Sequence, residues 1–260
     1  MGTATCKSGA YEACVLPTPA PDLKLTATIR DFHAFVLPDG SMNPMGHPDF
    51  ENANGAELGI VEAALGPDGK PVYAKAGQPS LTTHGKTYFD QWYNDVPGVN
   101  MSKELTFDLA LVSGSSPAQY GYDNQAFFPI DAMLWGNEGY SHNYGFTVEL
   151  HTKFRYLGGE KFSFTGDDDV FVFINGKLAL DLGGVHSAES GAVDLDAMAA
   201  ALGVTTCNVY EFALFYNERH TVASDLALQT TLALTDKPLA RRAPALSGRG
   251  FVRRRGAEVV

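Results

Sequence analysis

The stretch Val170-Phe-Val-Phe-Ile174 is the tightest constraint in the chain. All five residues are β-branched or aromatic, which favours an extended strand, and successive side chains of a strand point to opposite faces. Val170, Val172 and Ile174 therefore need cover on one side, and Phe171 and Phe173 on the other. Such a strand belongs at the centre of a layered β structure. Asn175-Gly176 follows at once and supplies the positive φ that both central positions of a type I′ hairpin require. Lys177–Leu182 is then the returning strand.

Further strands are expected at Leu23–Val36, where Leu23, Leu25, Ala27 and Ile29 alternate, and at Leu105–Val112, Tyr144–Tyr156, Lys161–Thr165, Val209–Asn217 and Asp225–Leu234. With 27 Gly and 14 Pro punctuating them, the fold class is all-β: a single β-sandwich with a few short helices and long loops. The segment 37–85 reads as loops, with one amphipathic piece at Glu57–Leu65. Thr87–Asn94 is expected to form a short helix carrying Phe89, Trp92 and Tyr93 to a core, and Leu195–Leu202 is the clearest helix, ended by Gly203. The expected organisation is an N-terminal arm over 1–22, the β domain over 23–235 and a basic tail over 236–260.

Charge narrows the function classes. The chain carries net −11; residues 236–260 hold seven basic and two acidic side chains, which leaves −16 on residues 1–235. An acidic body repels a phosphate backbone, so nucleic acid is not an expected partner. No apolar run reaches the roughly 20 residues of a membrane span. The three cysteines, Cys6, Cys14 and Cys207, contain no C-x-x-C pair, which argues against structural zinc; Cys6 and Cys14 are candidates for a local disulfide in an oxidising compartment. The first residues lack the apolar segment of a secretory signal. No G-x-S-x-G, H-E-x-x-H, G-x-x-x-x-G-K-[ST] or G-x-G-x-x-G pattern occurs, so no catalytic residue is assigned and an enzyme is not expected.

Chemistry concentrates at Asp167, Asp168 and Asp169, three adjacent carboxylates between two apolar strands. Their repulsion grows in low-dielectric surroundings unless they face water, meet cations or bind a metal. Carboxylate oxygens are hard ligands, which makes calcium the natural ion, although the EF-hand spacing is missing. A solvated acidic turn satisfies the same pattern.

Thr165-Gly-Asp-Asp-Asp-Val-Phe-Val-Phe-Ile-Asn-Gly-Lys-Leu178, followed by Asp181-Leu-Gly-Gly-Val-His186, resembles the signature of fibro-slime domains, relatives of the protective-antigen-type β-sandwich of flocculin-type adhesins. Matching stretches run in order along the chain: Thr28-Ile-Arg-Asp-Phe32, His47-Pro-Asp-Phe-Glu51, Phe89-Asp-Gln-Trp-Tyr93, Asp95-Val-Pro-Gly-Val-Asn100, Phe127-Phe-Pro-Ile-Asp131, Phe146–His151 and Glu218-Arg-His-Thr221. The resemblance implies a calcium ion at one rim, held by Asp167 and Asp168 across a cis peptide, with Glu218 as third ligand and Asn217 as the alternative to it. It implies carbohydrate binding there, with Asp167, Asp168, His186 and His220 at the site and loops 135–144 and 183–190 selecting the sugar; Trp135–Tyr144, with Gly136 and Gly139, reads as an exposed aromatic loop whose Trp135 and Tyr140 are candidates to stack on sugar rings. His186 and His220 also fit a loop-orienting role. The expected function is an extracellular or cell-surface, calcium-dependent carbohydrate-binding or adhesion domain, with glycans and other copies of itself as partners. The alternative is a structural subunit of an extracellular fibre, matrix or slime layer in which calcium only stabilises.

Overall fold

The computed structural model describes residues 22–51 and 54–235. In chain order its elements are β1 (Asp22–Phe32), β2 (Gly55–Ala56), α1 (Lys86–Phe89), β3 (Asn100–Leu111), β4 (Tyr120–Asn124), β5 (Phe146–Arg155), β6 (Lys161–Gly166), β7 (Val170–Ile174) and β8 (Lys177–Leu182). There follow β9 (Gly184–Val185), β10 (Glu189–Asp194), α2 (Leu195–Leu202), β11 (Val209–Glu218), β12 (Leu226–Thr230) and β13 (Ala233–Thr235). The expected arm, the basic tail, Cys6 and Cys14 lie outside the described residues, apart from Asp22. Cys207 is disulfide-bonded.

The fold is all-β. One antiparallel sheet runs in the order β10-β6-β12-β4-β3-β1-β5-β11-β7-β8, with β13 pairing β5 alongside. The sheet curls until its two end strands meet. Leu180 on β8 fills the space beside Gly191 on β10, where an added Cβ would stand 2.5 Å from its Cδ1. A nearly closed barrel results, sealed there by packing and a missing side chain.

Strand β7 has the two-sided cover its sequence demands. Val170, Val172 and Ile174 enter an inner core with Val148, Leu150, Phe212, Leu214 and Tyr216. Phe171 and Phe173 enter an outer core with Phe32, Phe50, Ile60, Phe89, Trp92, Tyr93 and Phe215. Each buried Phe or Ile contributes about 1.5–3 kcal/mol relative to exposure, so the long segment between β1 and β3, which supplies most of the outer core, is held to the sheet although it contains little regular structure.

Within that segment the amphipathic piece Glu57–Leu65 buries Ile60 and Val61, and single bridges tie Val61 to Tyr73 and Ala64 to Lys177. The helix expected at Thr87–Asn94 is only Lys86–Phe89, entered from Gly85 without a side-chain cap, and the chain continues in turns that still bury Trp92 and Tyr93. Elsewhere β4, β9 and β10 were not anticipated, and Asp225–Leu234 is two strands. Among the described residues no helix is long and apolar enough to cross a membrane.

Candidate functional site

The acidic run occupies the corner between β6 and β7. Gly166 ends β6 so close to the β11–β12 connection that an added Cβ would lie 2.3 Å from the Asp225 carbonyl. Asp168 takes a left-handed conformation, with φ 50°. That twist sends the three carboxylates in different directions, which is how the corner tolerates them.

Asp169 points away from the surface. Its Oδ2 accepts from Nε of Arg219 at 2.6 Å and Nδ2 of Asn217 at 3.1 Å, and its Oδ1 accepts from the Gly184 amide at 2.8 Å and Nη2 of Arg219 at 3.1 Å. Arg219 is fully buried; Nη1 donates to the carbonyls of Asp49 and Thr82, and its guanidinium lies 4.7 Å from the Trp92 ring centroid. Asp168 faces the opposite way, accepting the amide of His186 at 3.2 Å on Oδ1 and the amide of Arg219 on Oδ2. Asp167 is also buried, at the lining of a cleft.

Asp167, Asp168, His186 and His220 meet in one open cleft of about 640 Å³, walled also by Asn54, Gly55, Val185, Ser187, Ala188, Val222, Ala223 and Asp225. Four of the eight sequence-derived residues thus share the cleft. Glu218 lies behind the cleft, fully buried, with Oε1 accepting the His220 amide at 3.1 Å and Oε2 accepting the Tyr216 hydroxyl at 3.4 Å. Asn217 is turned toward the outer core: Oδ1 accepts from the Tyr93 hydroxyl at 2.7 Å while Nδ2 serves Asp169. The ring nitrogens of His186 lie 3.0 and 3.4 Å from the carbonyls of Ser187 and Leu182, which fastens that loop.

Trp135 and Tyr140 do not line the cleft. Trp135 is half-buried and stacks on His33 at 4.4 Å, and the Tyr140 hydroxyl donates to the Val36 carbonyl at 2.7 Å. The loop 135–144 is folded against the rest of the protein through these contacts. The peptide between Asp167 and Asp168 is also not cis; among the described residues the cis bond is Ser116–Pro117. The left-handed Asp168 makes the turn that the cis bond was expected to make.

Electrostatics mark the corner as short of positive charge. Burial, only partly offset by Arg219 and increased by Asp169, pushes the Asp168 carboxyl up to about 7. Burial and the neighbouring Asp168 hold Glu218 well above the usual carboxylate range, and burial with Asp225 raises Asp167. Arg219, the buried cation beside them, is engaged by Asp169. The donor chemistry of Asp167, Asp168 and Glu218 (hard oxygens with uncompensated charge) fits a calcium ion. As placed, both oxygens of Asp168 and Oε1 of Glu218 accept backbone amides while Glu218 Oε2 accepts the Tyr216 hydroxyl, and among the described residues no three acidic, His or Cys side chains converge as a ready metal cluster.

Two residues of the site escaped the sequence reading. Arg219 stood in the quoted Glu-Arg-His-Thr motif, but its partner Asp169 is 50 positions away. Asp225 was read only as the start of a strand.

A family model described as the PA14 domain matches residues 129–241. Protein psiR of Dictyostelium discoideum is 41% identical over 207 residues, covering 73% of this chain and 20% of that protein. Protein psiD of the same organism is 38% identical over 232 residues, covering 83% of this chain and 42% of that protein. The chain thus spans about a fifth to two fifths of the length of these relatives. Among solved structures, a PA14 sugar-binding domain from an RTX adhesin has TM-score 0.37 and 10% identity, covering 80% of this chain and 90% of that one. The Epithelial Adhesin 9 A domain from Candida glabrata, in complex with Galb1-3GlcNAc, has TM-score 0.36 and 12% identity, covering 88% and 96%. Likeness at this level carries no argument about function. The family-model match includes the acidic corner, and that part of the chain is similar to a PA14 domain.

Proposed function

We propose that this chain is a carbohydrate-binding or adhesion domain working at the cell surface or outside the cell, of the fibro-slime kind, with calcium at the acidic corner. The observation that carries the proposal is the convergence of Asp167, Asp168, His186 and His220 on one cleft, over a buried Glu218 that forms no ion pair among the described residues. Support for the compartment comes from the disulfide at Cys207, since disulfides persist where the surroundings are oxidising.

In this reading Asp167 and Asp168 hold the ion from the cleft side, and Glu218 supplies charge from behind. A bound calcium would supply open coordination positions for sugar hydroxyls. The protein's own share is orientation. The amides of His186 and Arg219 fix the two oxygens of Asp168, and the amide of His220 fixes Glu218. The cleft is open and wet, so a single sugar binds weakly and adhesion relies on several copies.

The test is a glycan array with and without chelator, beside calorimetry of wild type and Asp168→Asn. Calcium-dependent glycan binding that Asp168→Asn loses is the expected result. A melting temperature that falls on chelation with no glycan bound would instead favour a structural subunit of an extracellular fibre or slime layer. Calcium binding by Asp168→Asn equal to wild type would overturn the metal assignment.

A further inference from the structure

We propose that Asp225 sets a charge rule for the cleft: neutral glycan ends are admitted and those bearing carboxylate or sulfate are rejected. The rule rests on the cleft taking glycans, as proposed above, and names the substrate class left open there.

Asp225 is held in place on both sides. Ser224 before it is buried, with Oγ donating to the Phe127 carbonyl at 2.8 Å while its own carbonyl accepts the Phe127 amide at 2.7 Å. Leu226 after it opens β12, paired with Gly166 on one side and Asn124 on the other. The Asp225 carbonyl accepts the Asp167 amide at 3.3 Å, across the gap that the missing side chain of Gly166 leaves. The backbone of Asp225 is therefore fixed in the cleft wall; the residue is half-buried, and among the described residues its carboxylate forms no ion pair.

No described residue lining the cleft is Lys or Arg; His186 and His220 are the described lining residues able to carry positive charge, and Val185, Ala188, Val222 and Ala223 give the wall apolar stretches. A cleft of one sign with low-dielectric walls focuses its field on whatever enters. A calcium ion at the corner would be matched by Asp167, Asp168 and Glu218, which leaves Asp225 as surplus negative charge. Discrimination between ligands comes as much from such a repulsive group as from attractive contacts. A sugar hydroxyl meets no penalty there, whereas a uronate or sulfate does.

The experiment uses pairs of oligosaccharides alike except for a terminal hexose against the corresponding hexuronate or sulfated hexose, titrated in calcium against wild type, Asp225→Asn and Asp225→Ser. Wild type is expected to prefer the neutral member by about tenfold, the scale of one like charge at close range in a partly wet site. Both variants are expected to close most of the gap between the two members. An undiminished gap in the variants, equal binding of both members by wild type, or a preference for the acidic member overturns the rule while leaving the glycan reading standing. Loss of calcium binding by both variants in calorimetry also overturns it, because Asp225 would then be a metal ligand. Failure of wild type to bind either member of any pair overturns the glycan reading and the rule together.

Discussion

Glu149, 3% exposed on β5, shows how a single side chain acquires a pH signature. Burial alone would raise its carboxyl, but a hydrogen bond from His151 and the charges of Arg30 and Lys70 bring it down to about 2. Arg30 Nη1 donates to it at 2.7 Å, and Lys70 Nζ lies 3.7 Å away. A carboxyl lowered by folding contributes stability that is full above its unfolded value near 4.5 and is lost as pH falls toward about 2. That loss is about 3 kcal/mol. Unfolding by urea across this pH range should show the slope in wild type and a flatter one in Glu149→Gln; identical slopes would mean that Glu149 does not titrate as described.

At the scale of elements, the β7–β8 hairpin is the part most plainly written in the amino acids. Asn175 and Gly176 have φ 53° and 72°, as a type I′ turn needs, and Asn175 Nδ2 also donates to the Leu202 carbonyl at 3.0 Å, at the end of α2. Asn175→Ala places a Cβ in left-handed backbone and loses that bond, so it should destabilise by about 1–2 kcal/mol. Asn175→Gly removes only the bond and should cost less, a difference that equilibrium unfolding of the two variants measures. Strands β7 and β8 and helix α2 coincide with the residues read from sequence because each carries its own pattern: a two-sided apolar run, a turn pair, a helical stretch with a glycine stop. Strand β4, Tyr-Gly-Tyr-Asp-Asn, and strand β10, Glu-Ser-Gly-Ala-Val-Asp, carry no such pattern; partners on β3, β6 and β12 make them strands. The candidate site divides the same way. Asp167 and Asp168 announced themselves as a local cluster, whereas Arg219 and Asp225 act through neighbours that only the folded sheet supplies. Trp135 and Tyr140 looked like an exposed sugar platform because aromatic residues flanked by glycines read as a loop. Nothing local revealed that His33 and Val36 would hold them.

For the molecule as a whole, Arg219 is the point where separate parts meet. It joins the β6–β7 corner through Asp169 to the segment before β3 through the carbonyls of Asp49 and Thr82 and the face of Trp92. Removing one partner of a buried ion pair leaves the other uncompensated, at about 3–5 kcal/mol. Arg219→Met should therefore lower stability by that amount, and Arg219→Met with Asp169→Asn should recover part of it, read by denaturant unfolding of the three proteins. A double variant no more stable than the single one would mean that the residue matters for its contacts to the outer segment and not for its charge.

The double cover of β7 also bears on how the protein can be made. Trp92, Tyr93 and the other outer aromatics leave the ribosome long before the strands they rest on; Tyr93 and its partner Asn217 are 124 positions apart, and Arg219 and Asp49 are 170 apart. Contacts of such separation form slowly, and apolar surface stays uncovered meanwhile. A growing chain must carry a cluster of unsheltered rings until β11 has emerged. Fragments ending short of Glu218 would be sticky rather than partly native, and helpers that shield nascent chains would matter more here than for a protein assembled from neighbouring hairpins.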